Sequence, residues 1–300
     1  MSEDLFPGFE EREIALGEAT LHVRSGGSGP PLLLLHGYPQ SSAMWRRVAP
    51  ALATRFHVVA PDLRGYGRSS IPGSHGGSGY SKRKMGEDAL ALMQSLGHAR
   101  FGVAGHDRGG RVAYRLALDH PEAIARVAVL DIIPTGEMWR GMDAGRAMQV
   151  YHWMFLAQPE PLPETLISAA SQTYLDHTLA SWTGAKTLEA FQGALEEYRT
   201  AFADPARVHA SCEDYRAGAT LDRLADEIDH AAGRKIEAPL LALWGAKGIP
   251  AEGVSPLDVW RQWARDVRGH AIDCGHFLPE EAPEATAQAL MNFFNEGDAA

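Results

Sequence analysis

The chain has 300 residues, enough for one large domain or two smaller ones, and its 45% hydrophobic and 22% charged content is that of a folded globular protein. Twenty-eight basic against thirty-eight acidic side chains leave a net charge of −10, which argues against the basic face that nucleic acid or an anionic membrane would need. Apolar runs such as 32–35 and 127–130 are far too short to cross a bilayer, the acidic N-terminus lacks a signal-peptide pattern, and two cysteines, Cys212 and Cys274, suit a reduced cytoplasmic protein.

In chain order, residues 10–25 alternate about Gly17-Glu18 and predict a hairpin. PLLLLHG (31–37) is an apolar run closed by glycine, as a buried parallel strand would be. A helix is expected at 42–54, a strand at FHVVAPD (56–62), a helix over 81–97 and a third buried strand at FGVAGHD (101–107). GGRVAYRLALDH (109–120) continues as a helix and RVAVLD (126–131) as a fourth strand. Such alternation implies a parallel sheet covered on both faces. After Pro134 the periodicity turns helical to about Lys235, with no clear strand and many Trp, Tyr, His and Met residues. Alternation returns with APLLALWG (238–245), a helix near 256–266, RGHAIDCGH (268–276) and a last helix from Pro279 to Phe294. The economical reading is an α/β core formed by residues 1–133 and 236–300, its sheet mostly parallel, with a helical cap of residues 134–235 inserted between them. Ligands in open α/β sheets bind beyond the carboxyl ends of the strands, so such an insertion would roof the site.

The strongest chemical signal is Gly105-His106-Asp107-Arg108-Gly109, placed between an apolar strand and a helix. It has the shape of a nucleophile elbow, G-x-S-x-G, with aspartate where serine would stand. Flanking glycines allow the sharp turn, and the start of the helix favours a carboxylate. The bland alternative is that Asp107 merely caps the helix. A carboxylate nucleophile attacking a saturated carbon with a leaving group gives an alkyl ester, whose carbonyl water can then attack. Displacement followed by ester hydrolysis is the chemistry to expect.

The second step needs a base and an orienter. His276, in Asp273-Cys274-Gly275-His276-Phe277 after the last strand, suits the base, and the order nucleophile, acid, histidine is that of the α/β hydrolases. The acid is expected to be Asp131, at the end of RVAVLD; after the next-to-last strand no carboxylate occurs before Glu252. A helix-cap aspartate at a strand end is the competing reading for Asp131. His36-Gly37-Tyr38-Pro39 suits an oxyanion loop in which the main-chain N–H groups of Tyr38 and Arg108 hold the developing charge; otherwise it is a tight turn.

Arg108 and Arg111 stand three apart at the start of the nucleophile helix and would clamp a substrate carboxylate, unless both pair with surface acids. Within the insertion, 144–157 reads as one helix carrying Tyr151-His152-Trp153. The ring N–H groups of His152 and Trp153 and the O–H of Tyr215 would cradle a departing halide, although an aromatic-rich helix is more often core. Ser74–Gly79 reads as a flexible surface loop, since no Lys-Ser/Thr follows it. No HExxH or paired CxxC appears, so no metal is expected, and Cys274 reads as a small buried residue.

GHDRGGR (105–111), VLDIIPT (129–135), YHWMFLAQPEPLPE (151–164), EDYRAGAT (213–220), LALWGAKG (241–248) and CGHFLPEE (274–281) together resemble the haloacetate dehalogenases, especially the fluoroacetate dehalogenases. The resemblance spans most of the chain. It implies an α/β-hydrolase fold with a helical cap, no cofactor and a homodimer. It implies Asp107 as nucleophile, His276 as base and Asp131 as its partner. Arg108 and Arg111 become the carboxylate clamp, His152, Trp153 and Tyr215 the halide cradle, and Trp182 a residue lining the mouth. The implied reaction takes a 2-haloacetate (fluoroacetate, also chloro- or bromoacetate) to glycolate. The nearest rival is epoxide hydrolysis, with tyrosines such as Tyr151, Tyr174, Tyr198 or Tyr215 protonating the opening oxygen; the two arginines have no task there. A non-catalytic α/β-hydrolase binding protein is the alternative from another class.

Overall fold

The computed structural model describes residues 5–248 and 255–296. Its sheet has strands β1 (Glu10–Leu16), β2 (Ala19–Gly26), β3 (Pro31–Leu35), β4 (His57–Pro61), β5 (Phe101–His106), β6 (Ile124–Leu130), β7 (Leu240–Gly245) and β8 (Val267–Ile272). The spatial order is β1-β2-β4-β3-β5-β6-β7-β8. The β1–β2 and β2–β4 pairs are antiparallel and the others parallel. Alternation explains why the apolar run of β3 is strand and not helix: Leu33 and Leu35 enter one core layer, Leu32 and Leu34 the other. Each fully buried leucine contributes about 2 kcal/mol of transfer free energy.

One core layer is closed by α2 (Lys82–Ser95) and α3 (Asp107–Asp119), the other by α1 (Ala49–Leu52) and the terminal helix. The expected helix at 42–54 is instead a 3-10 turn, Ser42–Trp45, followed by the short α1. The parallel register pairs Leu35 with Gly105, His106 with Leu130, and Leu130 with Leu243, so these strands end together and deliver their following loops to one edge.

Between β6 and β7 the chain is helical: α4 (Thr135–Arg140), α5 (Ala144–Gln149), α6 (Tyr151–Leu156), α7 (Leu162–Ser168), α8 (Ser171–Trp182), α9 (Leu195–Phe202), α10 (Pro205–Ala219) and α11 (Leu221–Ala231). The helix expected over 144–157 is broken at Val150, whose φ −109 and ψ 34 leave the helical region. After β7 come α12 (Pro256–Trp263), then α13 (Leu278–Glu281) and α14 (Pro283–Asn295); the expected last helix is interrupted at Ala282, just before a proline. Among the described residues no helix is long and apolar enough to cross a membrane. Glu252 lies outside the described residues.

Charge fastens the insertion to the core. Arg115 on α3 pairs with Asp226 and Asp229 on α11, Tyr114 donates to Asp226, and Arg24 on β2 pairs with Glu197 on α9. The glycine-rich segment at 74–79 is pinned and not free: the carboxylate of Glu213 on α10 accepts from the Ser74 hydroxyl and, at 2.7 Å, from the Gly77 N–H. A side chain at Gly77 would strike the backbone of Ala217 at 2.4 Å, so the segment packs where only glycine fits.

Candidate active site

Asp107 follows the last residue of β5 and opens α3 with φ 47, a left-handed conformation that a non-glycine residue adopts only when its surroundings hold it there. The flanking glycines are sterically required. A Cβ at Gly105 would lie 2.3 Å from the Gly109 carbonyl, and one at Gly109 would lie 2.3 Å from that of His36. The carboxylate of Asp107 accepts the Tyr38 main-chain N–H at 2.9 Å. Burial would raise its pKa, but the neighbouring His276, His106, Arg108 and Arg111 outweigh burial and hold it below the usual carboxylate range.

Asp131 follows the last residue of β6 in the same left-handed region, with φ 56. One carboxylate oxygen takes the Gly245 N–H at 2.8 Å and the other lies 2.6 Å from Nδ1 of His276. It is therefore no helix cap. His276 turns Nε2 toward Asp107, 3.9 Å from its carboxylate oxygen, and that nitrogen has no hydrogen-bond partner. Burial alone would pull the His276 pKa down; the hydrogen bond and charge of Asp131, with the charge of Asp107, leave it raised above 6.5. The ring is held from behind as well: His106 Nε2 lies 2.8 Å from the His276 carbonyl oxygen, and the His276 N–H donates to the Trp182 carbonyl at the end of α8.

The two arginines differ. Arg111 lines an inner cavity with Asp107, His152, Trp153, Trp182 and His276. Its guanidinium lies over the Trp153 ring at 4.6 Å and donates to the Ile133 carbonyl and Thr135 hydroxyl, both at 3.0 Å, and its Nε is unpartnered. Arg108 is engaged by Asp214, through Nε at 3.1 Å and Nη2 at 2.5 Å, and lies over the Tyr215 ring at 4.3 Å; only Nη1 is unpartnered. The spacing of the two arginines placed them on one helix face, but it could not show that a buried acid already holds the first.

Over the cavity, burial pulls His152 down to about 3, so the ring is neutral near neutrality, and its Nδ1 has no partner. The Tyr215 hydroxyl, whose ring centroid is 5.6 Å from that of His152, also has none. Trp182 packs 4.4 Å from the His152 ring and lines both the inner cavity and an outer one of about 360 Å³, which places it at the mouth. The inner cavity is small, about 30 Å³ of space for the centres of water-sized molecules, against the ~10–15 Å³ that one water needs.

Among the residues suggested for epoxide opening, the Tyr198 hydroxyl is bound to Glu280 at 2.6 Å and Tyr151 is largely on the surface. Sequence reasoning missed Asp214, Lys82 and Tyr66, which meet in one buried cluster beside Arg108. The one signal available was an acidic pair, Glu213-Asp214, next to Tyr215 in a helix whose middle is otherwise buried. Among the described residues no cluster of three His, Cys, Asp or Glu side chains is placed to hold a metal.

Three comparisons bear on this site. The family profile described as the alpha/beta hydrolase fold matches residues 30–283. The chain is 44% identical to a fluoroacetate dehalogenase from Burkholderia sp over 97% of its own length and 96% of that protein. It is 35% identical to a soluble epoxide hydrolase from Corynebacterium sp. (strain C12), covering 91% of this chain and 93% of that one. Among solved structures, a variant of a Pseudomonas aeruginosa protein provisionally called an epoxide hydrolase, with bound MFA, superposes with TM-score 0.92 at 46% identity over 98% of both chains. The strand order, the elbow and these similarities agree: the chain belongs to the α/β-hydrolase superfamily and, within it, to the haloacetate dehalogenase family.

Proposed function

We propose that the protein hydrolyses a 2-haloacetate to glycolate and halide, fluoroacetate foremost. The observation that carries this reading is a buried arginine without an acid of its own, Arg111, lining the same small cavity as the ionised Asp107. A cavity with room for two or three waters fits a substrate of very few heavy atoms. Its polar groups suit one that carries a negative charge at one end and a leaving group at the other.

In this reading Arg111, with the unpartnered Nη1 of Arg108, holds the substrate carboxylate, and one oxygen of Asp107 attacks C2 from the side opposite the halogen. The C–O bond forms as the carbon–halogen bond breaks with its electron pair. Neutral donors on His152, Trp153 and Tyr215 would take up the halide charge. His276 then removes a proton from water as it attacks the ester carbonyl of Asp107. The resulting oxyanion lies on the carboxyl oxygen that already accepts the Tyr38 N–H, beside the helix start where the Arg108 N–H has no intrahelical partner. Collapse of the tetrahedral intermediate breaks the bond to the glycolate oxygen, which takes the proton back from His276, and restores Asp107. Alkylation of Asp107 also removes one of the charges that raise the His276 pKa, so the base is freed when it is needed.

By the same reasoning residues 134–235 are a cap that closes this site. The chain is read as a homodimer in the cytoplasm, a setting that suits two buried cysteines with no disulfide. The test is halide release, read by an ion-selective electrode on fluoroacetate and chloroacetate with matched glycolate analysis. Fluoride with equal glycolate is expected, and Asp107→Asn should lose about 10⁴-fold or more. Chloride release alone would keep the mechanism and withdraw the fluoride preference. Turnover of small epoxides without any halide release would replace the reading with epoxide hydrolysis, for which the unpartnered Tyr174 and Tyr215 hydroxyls are the candidate acids.

A further inference from the structure

The loop that carries His276 is held through its main chain. Glu281, at the end of α13, turns its carboxylate back onto that loop: Oε1 accepts the Phe277 N–H and Oε2 the Gly275 N–H, both at 3.0 Å. The same Oε2 accepts the Gly184 N–H at 2.7 Å, and Gly184 belongs to the insertion, two residues beyond α8. The N–H of His276 itself donates to the Trp182 carbonyl, at 3.0 Å. Three consecutive N–H groups around the base are therefore taken by one side chain and by the end of α8.

The two backbones also touch. A Cβ at Gly275 would lie 2.2 Å from the Gly184 nitrogen and 2.7 Å from the Trp182 carbonyl oxygen, which leaves no room for a side chain between base loop and insertion. Among the described residues Glu281 makes no ion pair, and its two oxygens are occupied by these three donors. Glutamine could not replace it fully, because its NH₂ would face an N–H. Glu280, one residue earlier, is different. Its carboxylate takes the Tyr198 hydroxyl at 2.6 Å, Gln40 at 3.2 Å and Arg46, and no N–H of the base loop.

We propose that Glu281 is a positioning residue for ester hydrolysis: it ties the His276 loop to the end of α8, so that the base is in place only when the insertion is seated. The proposal rests on the haloacetate reading, in which His276 acts in the second step alone. Asp107 is fixed separately, by its elbow and by the Tyr38 N–H, so the displacement step does not need the tie.

Two measurements on the full chain test this. Without any ligand, Glu281→Ala should speed amide exchange in segments 182–187 and 274–278 together by roughly 100-fold, with β3 and β5 unchanged. With bromoacetate, the first halide should leave within about threefold of the parent rate, while ester hydrolysis slows about 100-fold and the carboxymethyl ester accumulates. Glu281→Gln keeps one acceptor oxygen and should slow hydrolysis only about 10-fold, and it serves alone if the alanine variant does not fold. Glu280→Gln should lower stability without accumulating ester. Equal slowing of both steps in the Glu281 variants, which a merely structural role would give, overturns the proposal. So does faster exchange confined to one of the two segments, or ester accumulating equally in Glu280→Gln. A parent that releases no halide sinks the haloacetate reading instead; the tie is then judged on exchange, where joint loss of protection supports it and separate loss overturns it.

Discussion

The sheet and the seam between α3 and α11 are held by different means. In the sheet, alternate residues such as Leu32, Leu33, Leu34 and Leu35 divide between two dry layers. Where the insertion meets α3, the contact is ionic, and α11 is turned inside out. Asp222, Asp226 and Asp229 are buried, while Leu221, Leu224 and Ile228 face outward, Ile228 at 60% exposure. Apolar packing is tolerant of direction, but a carboxylate against a guanidinium fixes both angle and distance. Apolar packing, which the insertion shares through Leu156, Leu175, Leu179 and Phe202, supplies bulk stability, and the ionic seam fixes how α11 stands against α3.

This contrast is sharpest in catalysis. His276 belongs to the core and, in the proposed mechanism, serves only ester hydrolysis; His152 belongs to the insertion and serves only halide departure. His276→Asn should cut steady turnover by about 10³-fold or more while still releasing one halide per site, with the protein gaining the mass of one carboxymethyl group. His152→Phe should slow the first step about 10²-fold and accumulate no ester. Intact-protein mass spectrometry after mixing with bromoacetate reads both. An ester in the His152 variant, or none in the His276 variant, would break the assignment of one step to each region.

The two kinds of cohesion should also fail differently. Asp226→Ala leaves buried Arg115 short of a partner and should destabilise by about 3–5 kcal/mol. Leu33→Ala, a core cavity, should cost about 2–5 kcal/mol. The magnitudes overlap, so the useful readout is what is lost at partial denaturation. The Asp226 variant should lose glycolate binding before the sheet melts, and the Leu33 variant should lose both together. Urea titrations followed by circular dichroism and by ligand binding distinguish these outcomes.

The pH dependence separates core chemistry from the neutral roof. His276 must be neutral to accept a proton, and its pKa is raised above 6.5 by Asp131 and Asp107 against the pull of burial. In the ester intermediate Asp107 carries no charge, so in the proposed mechanism the acidic limb of kcat should lie below the pKa at which His276 titrates in the free enzyme. The stabilising contribution of protonated His276 has the opposite sense: it is complete below 6.5 and lost as pH rises through the raised pKa. Asp131→Asn lets burial dominate, so the limb should move lower as the maximum falls. His152, held near 3, adds no limb in this window. An acidic limb that stays in place in Asp131→Asn would show that another group sets it.

Legibility in the sequence follows the same division. Strands β3 to β7 announce themselves because burial writes apolar runs into them, whereas β8 is a largely exposed edge strand, and Asp107, Asp131 and His276 follow from their places after strand ends. Packing through charges writes no such pattern. Nothing in the periodicity distinguishes Asp226 turned inward from one turned to water, so Asp214, Lys82 and Tyr66 stayed hidden. The break at Val150 was equally silent, since no glycine or proline marks it. The loop at 74–79 reads as mobile because its glycines resemble a linker; its partner, Glu213, is 136 residues from Gly77.

The smallest effect on chemistry is expected at the outward stripe of α11, and it tests whether the inversion of that helix has a purpose. Leu221, Leu224 and Ile228 share one face at helical spacing, and all are exposed in the single chain. If the protein is the homodimer proposed above and this stripe is what the second copy covers, Leu224→Glu/Ile228→Lys should halve the mass seen by light scattering. Stability of the separated chain should change by only about 0.5 kcal/mol, because exposed side chains carry little of the fold. Halide release per chain should stay within about twofold, since Asp222, Asp226 and Asp229, which seat the insertion, point the other way. An unchanged mass would remove this stripe from the dimer interface. A halved mass together with lost turnover would mean that the ionic seam depends on the partner copy, and the core and its roof could no longer be treated as a self-sufficient pair.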